Sequence, residues 1–121
     1  MSVAIAWIHR PVIPTEIRRK VLLNTDNHIQ GDEHLADHVD QVVTDALQRF
    51  GDRISRVEVH LSDVNAGKSG DADKHCTMEA RVDGLPPMAA SADAETVRGA
   101  IGAASRKLQR VLDSSLGKLS N

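Results

Sequence analysis

Two neighbouring stretches, Ile54 to Ser62 and Lys74 to Val82, alternate polar with apolar side chains. A period of two suits a strand that buries one face and wets the other. Val57, Val59 and Leu61 fall on one side of the first stretch, with Arg56, Glu58 and His60 on the other. In the second, Cys76, Met78, Ala80 and Val82 oppose His75, Thr77, Glu79 and Arg81. The Gly-, Asp- and Ser-rich segment between them, Asp63 to Asp73, reads as a long hairpin loop. Two such strands need further strands beside them and something apolar over their buried face.

The flanking segments supply both. Val21 to Thr25 reads as a first strand, followed by a turn over Asn27 to Gly31. Asp32 offers an N-cap, and Leu35, Val39, Val42, Val43, Ala46, Leu47 and Phe50 recur at steps of three and four. This predicts a helix of roughly five turns closed by Gly51. Asp83-Gly84 is a hairpin turn signal, and Pro86 and Pro87 are confined to the start of a short strand from Met88 to Ala92. Asp93 is then expected to cap a last helix with the stripe Val97, Ile101, Ala104, Leu108, Val111 and Leu112, frayed from Gly117 onward. The order is strand, helix, three strands, helix. The expected fold is α/β of the two-layer α+β kind: a four-stranded mixed sheet, its first two strands parallel, with both helices on one face.

The 121 residues suit one domain, placed at 20–121. Residues 1–19 contain Pro11 and Pro14 and read as an N-terminal arm, packing Trp7 and Ile8 on the body, or as a misassigned start. Val3 to Ile8 is apolar but lacks the flanks of a signal peptide, and no stretch is long enough to span a bilayer. Cys76 is alone, which excludes an intramolecular disulfide and suits a reducing compartment. The expected location is the cytoplasm. Trp7 and Phe50 are the only aromatics, so a platform for stacking bases is nearly excluded. With a formal net charge of -2, nucleic-acid binding would need a local basic patch.

Such a patch is present in the last helix. Arg98, Arg106 and Arg110 lie on one i, i+4 row with Gly102 between them, and Lys107 flanks it. Gly99 and Gly102 leave room for a close backbone approach. From the residues alone, a solvated helix face is the simpler reading.

The order of segments and certain residues in them resemble the ribosome hibernation-promoting factors and their ribosome-associated inhibitor relatives, in the short form. The likeness runs from about Lys20 to Leu116. It is carried by Phe50-Gly51-Asp52-Arg53-Ile54, Val57-Glu58-Val59-His60-Leu61, Glu79-Ala80-Arg81-Val82 and Ala90-Ser91-Ala92, then by Ala100-Ile101 and Arg106-Lys107-Leu108-Gln109-Arg110. The resemblance implies a domain similar in layout to double-stranded-RNA-binding domains. It implies a non-enzymatic factor that binds the small ribosomal subunit RNA, in the channel for messenger and transfer RNA, and restrains translation. A dimerisation domain, a membrane, a small-molecule substrate and a cofactor are not expected. The RNA-binding candidates are Arg98, Arg106, Lys107 and Arg110, with Arg49 and Lys118. The first helix departs from the family's basic pattern with Asp32, Glu33, Asp37, Asp40 and Asp45, and this motivates an alternative: a small stress-regulatory module that binds a protein through that acidic helix.

Other constellations are weaker. His34 and His38 share a helix face, with His28 upstream, but lack evident third and fourth zinc ligands, so no metal is expected. Gly67-Lys68-Ser69 matches the end of a phosphate-binding loop, but Ser62 stands where an earlier Gly is required, and two strands flank it. His60, His75 and Glu79 share the open sheet face, yet alternation turns the adjacent Cys76 inward and prevents a Cys-His pair.

Overall fold

The two alternating stretches pair with each other at the centre of the sheet. In the computed structural model, which describes residues 20–26, 29, 31–63 and 73–120 apart from the side chains of residues 52 and 117–120, the chain runs β1 (Lys20–Thr25), α1 (Glu33–Leu47), a 3-10 turn (Gln48–Arg53), β2 (Ile54–Asp63), β3 (Lys74–Val82), β4 (Met88–Ala94) and α2 (Val97–Ser120). The leading arm, His28 and Gly67-Lys68-Ser69 lie outside the described residues. Strand order is β1-β2-β3-β4, with β1 parallel to β2 and the other pairs antiparallel. This is the expected mixed sheet.

Register follows the hydrophobic pattern. Val57, Val59 and Leu61 meet Ala80, Met78 and Cys76 across the central pair, and all six are buried. Each fully buried Val, Leu or Met contributes about 1.5–3 kcal/mol over its exposed state, so a slip of one residue would be severely penalised. The alternation fails at one place. Ile54 pairs with Val82 and Arg56 with Arg81, leaving Ser55 as the extra residue of a bulge. The bulge lets Ile54 and Val57 both enter the core.

Both helices close over that face. Val39, Val43 and Leu47 of α1 and Ala100, Ile101, Ala104, Leu108, Leu112 and Leu116 of α2 join one core. α2 lies over β3 and β4, while α1 lies beside it and contacts β1. Gln109 Nε2 donates to the Ala46 carbonyl at 2.8 Å, which satisfies a carbonyl in the last turn of α1.

Four boundaries differ from the sequence expectation. Asp32 does cap α1, its Oδ1 accepting from Leu35 N at 2.9 Å, but the α-helix ends at Leu47. The chain then tightens into the 3-10 turn, where Gly51 adopts φ 62, a left-handed value that favours glycine. Between β3 and β4, Leu85 N donates to Val82 O at 3.1 Å and only Gly84 has positive φ (78). The turn is therefore not the two-residue type with both central residues left-handed. Asp93 is not the cap of α2, because pairing with β3 continues through Ala94. Thr96 caps it instead, its Oγ1 accepting from Gly99 N at 2.9 Å. At the other end the helix runs past Gly117 to Ser120.

Candidate nucleic-acid interface

The apolar stripe of α2 fixes its rotation, and that rotation decides where each basic side chain goes. With Ala104, Leu108 and Leu112 buried, Arg106, Lys107 and Arg110 are exposed. Lys107 reaches sideways, its Nζ donating to the Ser91 carbonyl of β4 at 3.2 Å. Beside this contact an open groove of about 630 Å³ runs between α2 and β4. One wall is made by the small β4 residues Ala89, Ala90 and Ser91, the other by Lys107, Arg110, Val111, Ser114 and Ser115. While the Ser91 hydroxyl turns to Thr77 on the open sheet face, the lining has two cations and the hydroxyls of Ser114 and Ser115 but no carboxylate. It is therefore suited to phosphate or sugar oxygens.

The predicted row does not act as one face. Lys107 and Arg110 line the groove, and the Arg106 guanidinium lies over Gly102, where an added Cβ would come within 3.3 Å of Nη1. Arg98 instead bridges to α1, with Nη1 2.9 Å from His38 Nδ1. Burial, then the nearby Arg98 charge, lowers the His38 pKa from its ordinary 6.5, so the ring accepts this hydrogen bond in its neutral form. The tightness at Gly99 is also internal: an added Cβ would sit 2.9 Å from Thr96 Oγ1 and 3.2 Å from Ala94 Cβ.

Arg49 is paired with Asp113 of α2 and lies 5.2 Å above the Phe50 ring. It ties the 3-10 turn after α1 to α2. Lys118 belongs to α2, but its side chain lies outside the described residues. Ala89, Ala90 and Ser91, the strand side of the groove, were not singled out as site residues from sequence. In the sequence, Ala90-Ser91-Ala92 marks the family resemblance and nothing local marks it as a groove wall.

The open sheet face carries a polar ladder. His75 Nδ1 lies 2.6 Å from Asp93 Oδ1, and its Nε2 lies 3.1 Å from Thr77 Oγ1, which is 2.8 Å from Ser91 Oγ. These are cross-strand neighbours, since His75 is opposite Asp93 and Thr77 opposite Ser91. His60 faces Glu58 at 3.7 Å instead of joining His75, and Glu79 stands opposite Glu58. Cys76 is buried, and burial pushes its thiol pKa up to about 12, far from a nucleophile's range. Among the described residues, no group of three or more His, Cys, Asp or Glu is arranged to hold a metal, and no helix is long and apolar enough to cross a membrane.

The chain is thus a two-layer α+β domain with a cationic groove beside its last helix. Residues 24–120 match the model of the sigma 54 modulation protein / S30EA ribosomal protein family, and the chain belongs to that family. Its fold is similar to that of a ribosomal subunit interface protein from Coxiella burnetii, with TM-score 0.68 and 12% identity over 81% of this chain and 98% of that one. It is also similar to the N-terminal domain of Protein Y from Thermus thermophilus, with TM-score 0.60 and 17% identity over 82% of this chain and 97% of that one. No curated protein matches the sequence.

Proposed function

We propose that this protein is a cytoplasmic, non-enzymatic translation inhibitor of the hibernation type, which binds the small ribosomal subunit in its messenger and transfer RNA channel. The observation that carries the reading is the α2–β4 groove, where Lys107 and Arg110 lie beside Ser114 and Ser115 with no acidic side chain in the lining. Arg106, exposed on the adjoining turn, extends the cationic surface. Side-chain donors of this kind hold the RNA backbone without reading bases, which suits a chain with so few aromatics. Family membership supports the ribosome as the site of action.

The test is co-sedimentation with purified small subunits across a range of salt concentrations. Wild-type binding is expected to weaken steeply as salt rises, because each phosphate contact releases counterions. Replacing Arg106, Lys107 and Arg110 together with Glu should abolish binding while circular dichroism and the melting midpoint stay near wild type. Unchanged co-sedimentation of this variant would move the contact to another surface. Absence of wild-type co-sedimentation at low salt would sink the ribosomal reading and favour a protein partner on the exposed acids of α1.

A further inference from the structure

A second basic surface lies on the side of the sheet that faces away from the helices. The register sets Lys20 of β1 opposite Arg56 of β2, and Arg56 opposite Arg81 of β3, in one row across three strands. The bulge at Ser55 creates this row: if the Ile54–Val82 register continued unbroken, Arg56 would face Ala80 instead. All three side chains point away from the core, because their neighbours Val21, Val57 and Val82 pack into it.

Like charges directly opposite one another on adjacent strands are destabilising. Only Arg56 is compensated, by Glu58 Oε2 at 2.9 Å. Among the described residues, Lys20 and Arg81 are exposed and have no acidic partner. The next row inward sets Glu58 opposite Glu79. An anion is therefore favoured at this end of the face and opposed at its middle.

We propose that the Lys20–Arg56–Arg81 row is a second RNA-backbone contact, on the opposite layer from the α2 groove, so that the domain is held between two segments of RNA. This rests on the ribosomal reading for its biological setting, but the site itself is defined by the row. The occupant is a phosphodiester backbone because, among the described residues, the row presents three cations and no aromatic side chain. The row sets the backbones of its cations about one strand separation, ~4.8 Å, apart, and their long side chains can reach successive phosphates.

The test uses Lys20→Gln/Arg81→Gln in the full chain, with Lys20→Arg/Arg81→Lys as the charge-retaining control. On small subunits, the Gln variant should bind about tenfold more weakly at ~0.1 M salt and lower the slope of log affinity against log salt by about 2. The control should behave as wild type. The melting midpoint of the Gln variant should hold or rise, since like-charge repulsion is relieved.

A bridging assay gives an independent measurement. Short RNA duplexes labelled with donor or acceptor dyes should show energy transfer when wild-type protein links two of them. Both the Gln variant and the α2 triple-Glu variant should bind a duplex without transfer. Unchanged affinity and unchanged bridging in the Gln variant would overturn the proposal while leaving the α2 contact intact. Bridging that depends on the row, with no wild-type co-sedimentation, would uphold the second surface and remove the ribosomal reading. Occupation of the row by polyglutamate but not by duplex would overturn the RNA assignment in favour of an acidic protein segment.

Discussion

Cys76 lies between Leu61 on one neighbouring strand and Ala92 on the other, and all three are buried. Its thiolate would be stranded in an apolar layer, which is why its pKa rises to about 12. Native protein at pH 8 should therefore react with a thiol reagent only as fast as it unfolds. Labelling rates that ignore added denaturant would show the residue is accessible. His38 is the second residue whose surroundings set its chemistry. Its pKa lies below 6.5, so the folded protein binds this proton less readily than the unfolded chain. The stabilising contribution is thus fully present above pH 6.5 and is lost as pH falls through the lowered folded value. In an NMR titration, Arg98→Ala should raise the His38 pKa without restoring it fully, because burial is the larger cause. An unchanged midpoint would show that the Arg98 contact does not form.

At the scale of elements, the caps decide where each helix begins. Asp32 accepts from Leu35 N and Thr96 from Gly99 N, both at 2.9 Å. Replacing either with Ala should cost about 1 kcal/mol of stability in urea unfolding. Asp93→Ala is the discriminating comparison. Asp93 pairs with His75 at the end of β4 and does not cap α2, so its loss should leave helical content unchanged. Loss of helicity equal to that of Thr96→Ala would restore Asp93 as the cap. The sequence could not separate the two, because both precede the apolar stripe by a few residues. Only the continued pairing of Lys74 with Ala94 carries the strand past Asp93.

At the scale of the whole molecule, charge is segregated between the two helices despite the small net value. The outer side of α1 exposes Glu33, Asp37, Asp40 and Asp45, whereas α2 exposes Arg98, Arg106, Lys107 and Arg110. If α1 also lies near RNA in the complex, Asp37→Lys/Asp40→Lys should tighten subunit binding and steepen its salt dependence, by up to about 0.9 per new phosphate contact. No change in either quantity would place α1 away from the RNA. Because these side chains are exposed, the melting midpoint should move little.

The sequence alone determined the element order, the layer arrangement and the faces of β2, β3 and both helices, because a period of two or 3.6 can bury only one set of side chains. It also marked Arg106, Lys107 and Arg110 as exposed cations on the back of a core-facing helix. It did not determine which cations would work together. Arg98 and Arg110 belong to one row in sequence, yet one meets His38 on α1 and the other lines a groove with β4. The bulge at Ser55, and with it the Lys20–Arg56–Arg81 row, was likewise hidden. Helical spacing and strand alternation are local properties of the chain. Helix flanks, bulges and cross-strand neighbours are set by what packs alongside, and that is decided only when the layers close.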